Sequence, residues 1–158
     1  AAKVITKAED LKAAHASMAA RVKAVVAGTF VPLGRLPPKL NHVIQPLMEA
    51  LKSEEDAAYR GYAARGIGAL VGECVRTQRS PSPVGKVVKN LCTRASSDVA
   101  WDGASLELKL PAQGALEALR EVLAVLGPDV QAQVPYLWGV MFGELLELAE
   151  GGERPPQQ

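Results

Sequence analysis

The residues able to do chemistry in this chain are two histidines, two cysteines, a few glycine pairs and scattered carboxylates. Cys74 and Cys92 each fall in a predicted helix, and zinc would need more ligands at closer spacing. They read as free, buried thiols in a reducing compartment. His15 borders the apolar face of a helix, and His42 follows Asn41 near a helix start as a surface or capping residue. Gly66-Ile67-Gly68 lies inside a helix with no strand before it, which excludes a dinucleotide fingerprint. Gly85-Lys86 lacks the rest of a phosphate loop, and no Ser-His-Asp or Cys-His arrangement is suggested by order or motif. The carboxylates mark turns and helix faces. No catalytic, cofactor-binding or metal-binding residue is expected.

The elements are clearest between Leu36 and Val75, which read as two helices joined by a short acidic turn. Pro37 and Pro38 suit a helix start, where a missing N–H costs nothing. Leu40, Val43, Ile44, Leu47 and Leu51 then recur at offsets of three and four. Pro46 interrupts this run, removes one backbone hydrogen bond and crowds the carbonyl of His42, so a kink is expected. Ser53 is the expected cap of the second helix, with Glu54, Glu55 and Asp56 at its positive end. That helix places Ala63, Ile67, Leu70, Val71 and Cys74 on one stripe and Gly61, Gly68 and Gly72 on another. Each interior glycine costs about 1 kcal/mol against alanine, a cost that close packing on a neighbour would offset.

This pair resembles a HEAT repeat. That pattern carries a proline in its first helix, an acid in the turn and an arginine early in its second helix. Pro46, Glu54 and Arg60 fit those offsets, and Ala63, Ile67 and Gly68 fit the small and apolar positions that follow. The resemblance implies an all-α fold, an α-solenoid of antiparallel helix pairs. A generic helical bundle is the other reading.

The chain's 158 residues suffice for one domain with a real core. Aromatics are only 4% of a 48% hydrophobic composition, so the core is built of Ala, Leu and Val, which favours close-packed helices over a sheet sandwich. No apolar run reaches membrane-span length, and the first residues lack signal-peptide form. Residues 1–94 hold 15 Lys and Arg against 7 Asp and Glu, and residues 95–158 hold 3 against 10. Such a polar molecule could steer charged partners, although a solvated surface accounts for the same asymmetry.

Thr6 to Glu9 has the capping-box pattern. A helix is expected from there to about Ala27, with Leu11, Ala14, Met18, Val22 and Val25 inward, ended by Gly28 and the Pro32-Leu33-Gly34 stretch. After a turn-rich linker from Arg76 to Pro83, a helix is expected to Ser97, with Val84, Val87, Val88, Leu91 and Ala95 inward. Arg76, Arg79, Lys86, Lys89 and Arg94 form a basic cluster without interleaved aromatics, so a solvated face is expected rather than direct nucleic-acid contact. Residues 98–111 read as an irregular insertion. Ser105 to Leu110 alternates like a strand, but it has no obvious partner and is read as a loop. Helix resumes from about Ala112 to Leu126, with Leu116, Leu119, Leu123 and Leu126 inward, and Gly127-Pro128 stops it. Val134-Pro135-Tyr136-Leu137-Trp138 opens a last helix to about Ala149. The expected organisation is therefore a helical repeat segment over residues 1–150 and a disordered tail over 151–158.

Several stretches resemble one family more closely, the TATA-binding-protein-associated Swi2/Snf2 ATPases, in their amino-terminal HEAT solenoid. They are Leu36-Pro37-Pro38-Lys39-Leu40-Asn41, Gln45-Pro46-Leu47-Met48-Glu49, Tyr62-Ala63-Ala64, Lys89-Asn90-Leu91-Cys92 and Pro135-Tyr136-Leu137-Trp138. They follow the family's order and cover most of Leu36 to Met141. Residues 1–35 resemble it only vaguely, and the insertion is shorter than the family's. The motor motifs are absent. The resemblance implies a non-enzymatic scaffold piece of a nuclear transcription regulator. Its partners would be TATA-binding protein, neighbouring HEAT repeats and the ATPase motor of the same protein. The other function class is a HEAT-like protein–protein adaptor unrelated to transcription, and a nucleic-acid-binding helical domain is a third. In either of the first two, polar turns such as Lys52 to Asp56 and Arg76 to Ser82 would be docking edges.

Overall fold

The computed structural model describes residues 2–97, 99–101 and 106–133. The fold is all-α. Its helices are α1 (Ala2–Thr29), α2 (Asn41–Ser53), α3 (Ala57–Arg76), α4 (Val84–Ser97), α5 (Leu110–Leu126) and the short α6 (Val130–Gln133). The expected last helix from Val134 and the 151–158 tail lie outside the described residues.

The pair α2–α3 forms where the apolar period places it. Val43, Leu47 and Leu51 of α2 meet Ala63, Ile67, Leu70, Val71 and Cys74 of α3 in one buried cluster, which Val84, Val87, Val88 and Leu91 of α4 extend. Pro37 and Pro38 do not open α2, which begins three residues later, at Asn41. The helix runs through Pro46. Ser53 is not the cap of α3. It is the last residue of α2, and its hydroxyl donates to the Glu49 carbonyl. The cap is Asp56, whose Oδ1 accepts from the Ala58 and Tyr59 N–H groups at 2.8 and 3.3 Å. The turn has several capping residues in a row, and Asp56 is the one with extended backbone immediately before the helix.

Side-chain contacts fix how the helices run. Arg21 of α1 lies over the Tyr59 ring, and the Tyr62 hydroxyl donates to the Val25 carbonyl further along. Arg60 bonds Glu117, and further along the same helices Gly68 meets Glu121 and Gly72 meets Val125. So α1, α3 and α5 form one row and run in the same sense. Arg79, in the turn before α4, bonds Pro37 and Pro38 before α2, and Arg94 near the end of α4 bonds Met48. So α2 and α4 form a second row, also in one sense.

The row α1–α3–α5 is built on small residues, and this corrects two faces. In α1, Ala24 and Ala27 are buried, whereas Leu11, Met18, Val22 and Val25 are exposed. In α5, Ala112, Gly114, Ala115, Ala118, Val122 and Leu126 are buried, whereas Leu116 and Leu123 are exposed and Leu119 is only partly covered. On α3 the close approach is made possible by Gly68 and Gly72, against which Glu121 and Val125 of α5 stand. A Cβ on Gly68 would stand 2.8 Å from the Glu121 Cβ, and one on Gly72 2.6 Å from a Val125 methyl. A Cβ on Gly114 would run into the Leu51 carbonyl oxygen, so α5 lies directly on the backbone end of α2. Gly61 faces only the Arg65 side chain and is not part of the seam.

Further boundaries differ from expectation. Helix α1 starts at Ala2, which leaves Thr6 to Glu9 inside it. It also runs through Gly28, which admits the Tyr62 ring; the turn glycine is Gly34, at φ +64°. The stretch read as a loop contains an antiparallel hairpin of β1 (Val99–Trp101) and β2 (Leu106–Leu108), in register Val99 to Leu108. The alternating segment found its partner in Val-Ala-Trp just upstream. Gly127, at φ +51°, ends α5 as expected, with Pro128 following.

Candidate functional site

The acidic turn is a structural junction. Glu54 is buried, and its carboxylate accepts two hydrogen bonds from the Arg21 guanidinium, at 2.7 and 2.8 Å. It also accepts the Asp56 N–H at 3.0 Å. The Arg21 guanidinium holds the Glu54 carboxyl below the ordinary carboxylate range; burial opposes this, and the Asp56 N–H adds to it. Arg60 is buried too. Its Nη1 donates to the Glu54 and Glu55 carbonyls and its Nε to Glu117 at 3.0 Å. A ladder Arg21–Glu54–Arg60–Glu117 thus crosses from α1 through the turn to α3 and α5. The structure brings Glu54 and Arg60, two of the residues that carry the repeat resemblance, together through the Glu54 carbonyl. It leaves Pro46 apart, on the side of α2 that faces α1. Arg21 and Glu117 were not singled out from sequence, because nothing local marks a partner 33 or 57 residues away.

The second turn is also more occupied than its composition suggests. Arg79 donates from Nη2 to the Pro37 and Pro38 carbonyls, both at 2.8 Å. Arg94 donates to the Met48 carbonyl at 3.2 Å. These two arginines hold α4 to α2. Arg76 is exposed and, among the described residues, pairs with Glu73, three residues back. Lys86 and Lys89 are exposed. The basic cluster is therefore part staple and part solvated face. Cys74 is buried and Cys92 half-buried; both are free thiols whose pKa burial raises. His15 and His42 are both exposed.

Open clefts flank α2. One, of about 810 Å3, lies between α1 and α2 over Ala16, Ala20, Val26, Phe30, Pro46 and Ala50. The other, of about 380 Å3, lies between α2 and α4 and is more polar, with Asn41, Gln45, Glu49, Lys86, Asn90 and Arg94 around Ile44, Met48 and Val87. No helix among the described residues is long and apolar enough to cross a membrane.

The fold is thus a helical array with open clefts beside α2. Residues 1–101 match the family model described as "Domain of unknown function (DUF3535)", and the chain belongs to that family. Among curated proteins it is similar to the human TATA-binding protein-associated factor 172, at 44% identity over 78 residues. That alignment takes in 49% of this chain and 4% of the human protein. The TATA-binding protein-associated factor BTAF1 of Arabidopsis thaliana is 32% identical over 95 residues, 60% of this chain and 4% of the relative. The TATA-binding protein-associated factor mot1 of Aspergillus fumigatus is 26% identical over 167 residues, 85% of this chain and 9% of the relative. The chain therefore spans under a tenth of the length of these relatives. No solved structure matches.

Proposed function

We propose that this chain is a scaffold segment of a transcription regulator, a HEAT-type α-solenoid of antiparallel helix pairs that holds TATA-binding protein while a separate Swi2/Snf2-type motor removes it from DNA. The observation that carries the reading is the shared naming of the human, plant and fungal relatives as TATA-binding protein-associated factors, together with the family match over residues 1–101. The helix rows support the solenoid. Members of each row run in the same sense, as stacked repeats require, and the α2–α3 turn carries the Glu54–Arg60 contact. The exposed Leu11, Met18 and Val22 of α1 and Leu116 and Leu123 of α5 suit faces that neighbouring repeats cover. In this reading the segment works in the nucleus, performs no catalysis, and meets TATA-binding protein and the rest of its own polypeptide rather than DNA.

The test is a pull-down of TATA-binding protein by the full-length protein with and without residues 36–150. Loss of capture on deletion is expected. Full capture by the deletion variant would remove this segment from the binding surface.

A further inference from the structure

The α2–α4 cleft has chemistry that the scaffold reading does not use. Its walls are two rows of side chains at one-turn spacing. Asn41, Gln45 and Glu49 stand on α2, and Lys86, Asn90 and Arg94 on α4. All but Arg94 are exposed. Its floor is apolar, from Ile44, Met48 and Val87. Among the described residues, the side-chain amides of Asn41, Gln45 and Asn90 have no hydrogen-bond partner.

Four residues of helix rise about 6 Å. Two residues of extended chain advance about 6.6 Å, and backbone groups on one side of such a chain recur at that interval. Amides one helical turn apart can therefore follow successive backbone groups of an extended peptide. Each amide offers both a donor and an acceptor, which matches a peptide N–H and C=O and serves a phosphate chain less well. Each wall runs over eight residue steps, about 12 Å, which is room for roughly four extended residues. Lys86 and Arg94 outnumber Glu49, and the exposed Lys89 adjoins Asn90 in sequence. The field therefore favours a carboxylate-bearing occupant. Among the described residues, no aromatic side chain lines the cleft to stack a base.

We propose that the α2–α4 cleft is a docking groove for a short, extended, acidic segment of a partner protein. Its backbone is held by Asn41, Gln45 and Asn90, and its carboxylates face Lys86 and Arg94. The groove lies on the α2–α4 row, and this assignment stands whether or not TATA-binding protein is the partner.

The test uses the 158-residue chain and a fluorescein-labelled positional-scanning hexapeptide library, followed by fluorescence polarisation. Pools with Glu or Asp fixed are expected to bind at least about fivefold tighter than pools with Lys fixed. K86E should abolish that preference. Asn90→Ala and Gln45→Ala should each weaken the best peptide about fivefold, the loss of one neutral hydrogen bond. In 15N spectra, the best peptide should shift the side-chain amide signals of Asn41, Gln45 and Asn90. These residues are on the surface, and unchanged melting of the variants separates docking from folding. Absence of acidic preference overturns the proposal, as does binding that leaves those amide signals in place. Tighter binding of a labelled oligothymidylate than of any peptide pool, lost in K86E, also overturns it in favour of a nucleic-acid surface.

Discussion

Replacing Gly114 by alanine tests the packing most sharply. On an exposed helix the change would stabilise by about 1 kcal/mol. Here the new methyl group meets the Leu51 carbonyl oxygen, a backbone atom at the end of a packed helix that cannot rotate away. Either α5 lifts from α2 or the α2 terminus distorts, and overpacking of this kind costs about 1–3 kcal/mol or more. The net expectation is a loss of roughly 1–3 kcal/mol. With a urea slope of about 2 kcal/mol/M, the midpoint should fall by about 0.5–1.5 M. Gly61→Ala is the internal control. Its methyl group would meet only the Arg65 side chain, at 3.4 Å, so the propensity gain of up to about 1 kcal/mol should appear. Gly68→Ala should resemble Gly114→Ala, because Glu121 backbone atoms stand 3.1–3.2 Å from its methyl position. Gly72→Ala should cost less, since a Val125 methyl can give way. A Gly114→Ala protein as stable as the parent, by urea unfolding, would refute the close α2–α5 approach.

Other consequences are open to the same unfolding measurement. Ile67→Ala or Leu70→Ala removes a fully buried side chain and should cost about 2–5 kcal/mol; an unmoved midpoint would put that stripe in solvent. Glu54→Gln should cost about 1–2 kcal/mol at pH 7 by weakening the Arg21 contact. Because the folded carboxyl is held low, its contribution is complete above the unfolded value of about 4.3 and disappears as pH falls through the folded value. The gap between parent and variant should therefore close in acid, and a gap that widens would contradict the assignment. Arg79→Glu should cost about 1–3 kcal/mol by releasing the Pro37 and Pro38 carbonyls, while Arg76→Glu on the exposed surface should stay within about 0.5 kcal/mol; equal losses would show that the two arginines play one role. Gln78 holds φ +49°, so Gln78→Gly should stabilise by up to about 1 kcal/mol, and a loss would mean its side chain has an unseen partner.

The sequence was most legible where large apolar residues carry the packing. Val43, Leu47 and Leu51, or Ile67 and Leu70, announce their face by size and spacing. It was misleading where alanine and glycine carry it. In α5 the leucines at 116 and 123 mark the most hydrophobic face, yet they are exposed; Ala115, Ala118 and Val122 are buried, and Glu117, Glu121 and Val125 stand against Arg60, Gly68 and Gly72 of α3. Similarly, Leu11 and Met18 pointed to a face of α1 that is exposed, while Ala24 and Ala27 are buried. Glu54 and Arg60 were legible through the repeat pattern, which is local. Arg21 and Glu117, and the carbonyl contacts of Arg79 and Arg94, depend on which helices become neighbours, and no local period encodes that. The β1–β2 hairpin was missed because only one of its strands alternates clearly. The family was legible in short stretches such as Leu36 to Asn41 and Gln45 to Glu49. Asn41, Gln45, Met48 and Glu49 from these stretches lie together at the α2–α4 cleft with Asn90.

The most direct measurement of the scaffold reading is a paired titration on the full-length protein, with and without residues 36–150. One arm gives the Kd for TATA-binding protein without nucleotide, and the other gives the rate of ATP hydrolysis. The account predicts that the deletion weakens the Kd by at least about tenfold, near 1.4 kcal/mol, while ATP turnover stays within about twofold. An unchanged Kd alongside lost ATP turnover would contradict it, because the segment would then serve the motor and not the grip on TATA-binding protein.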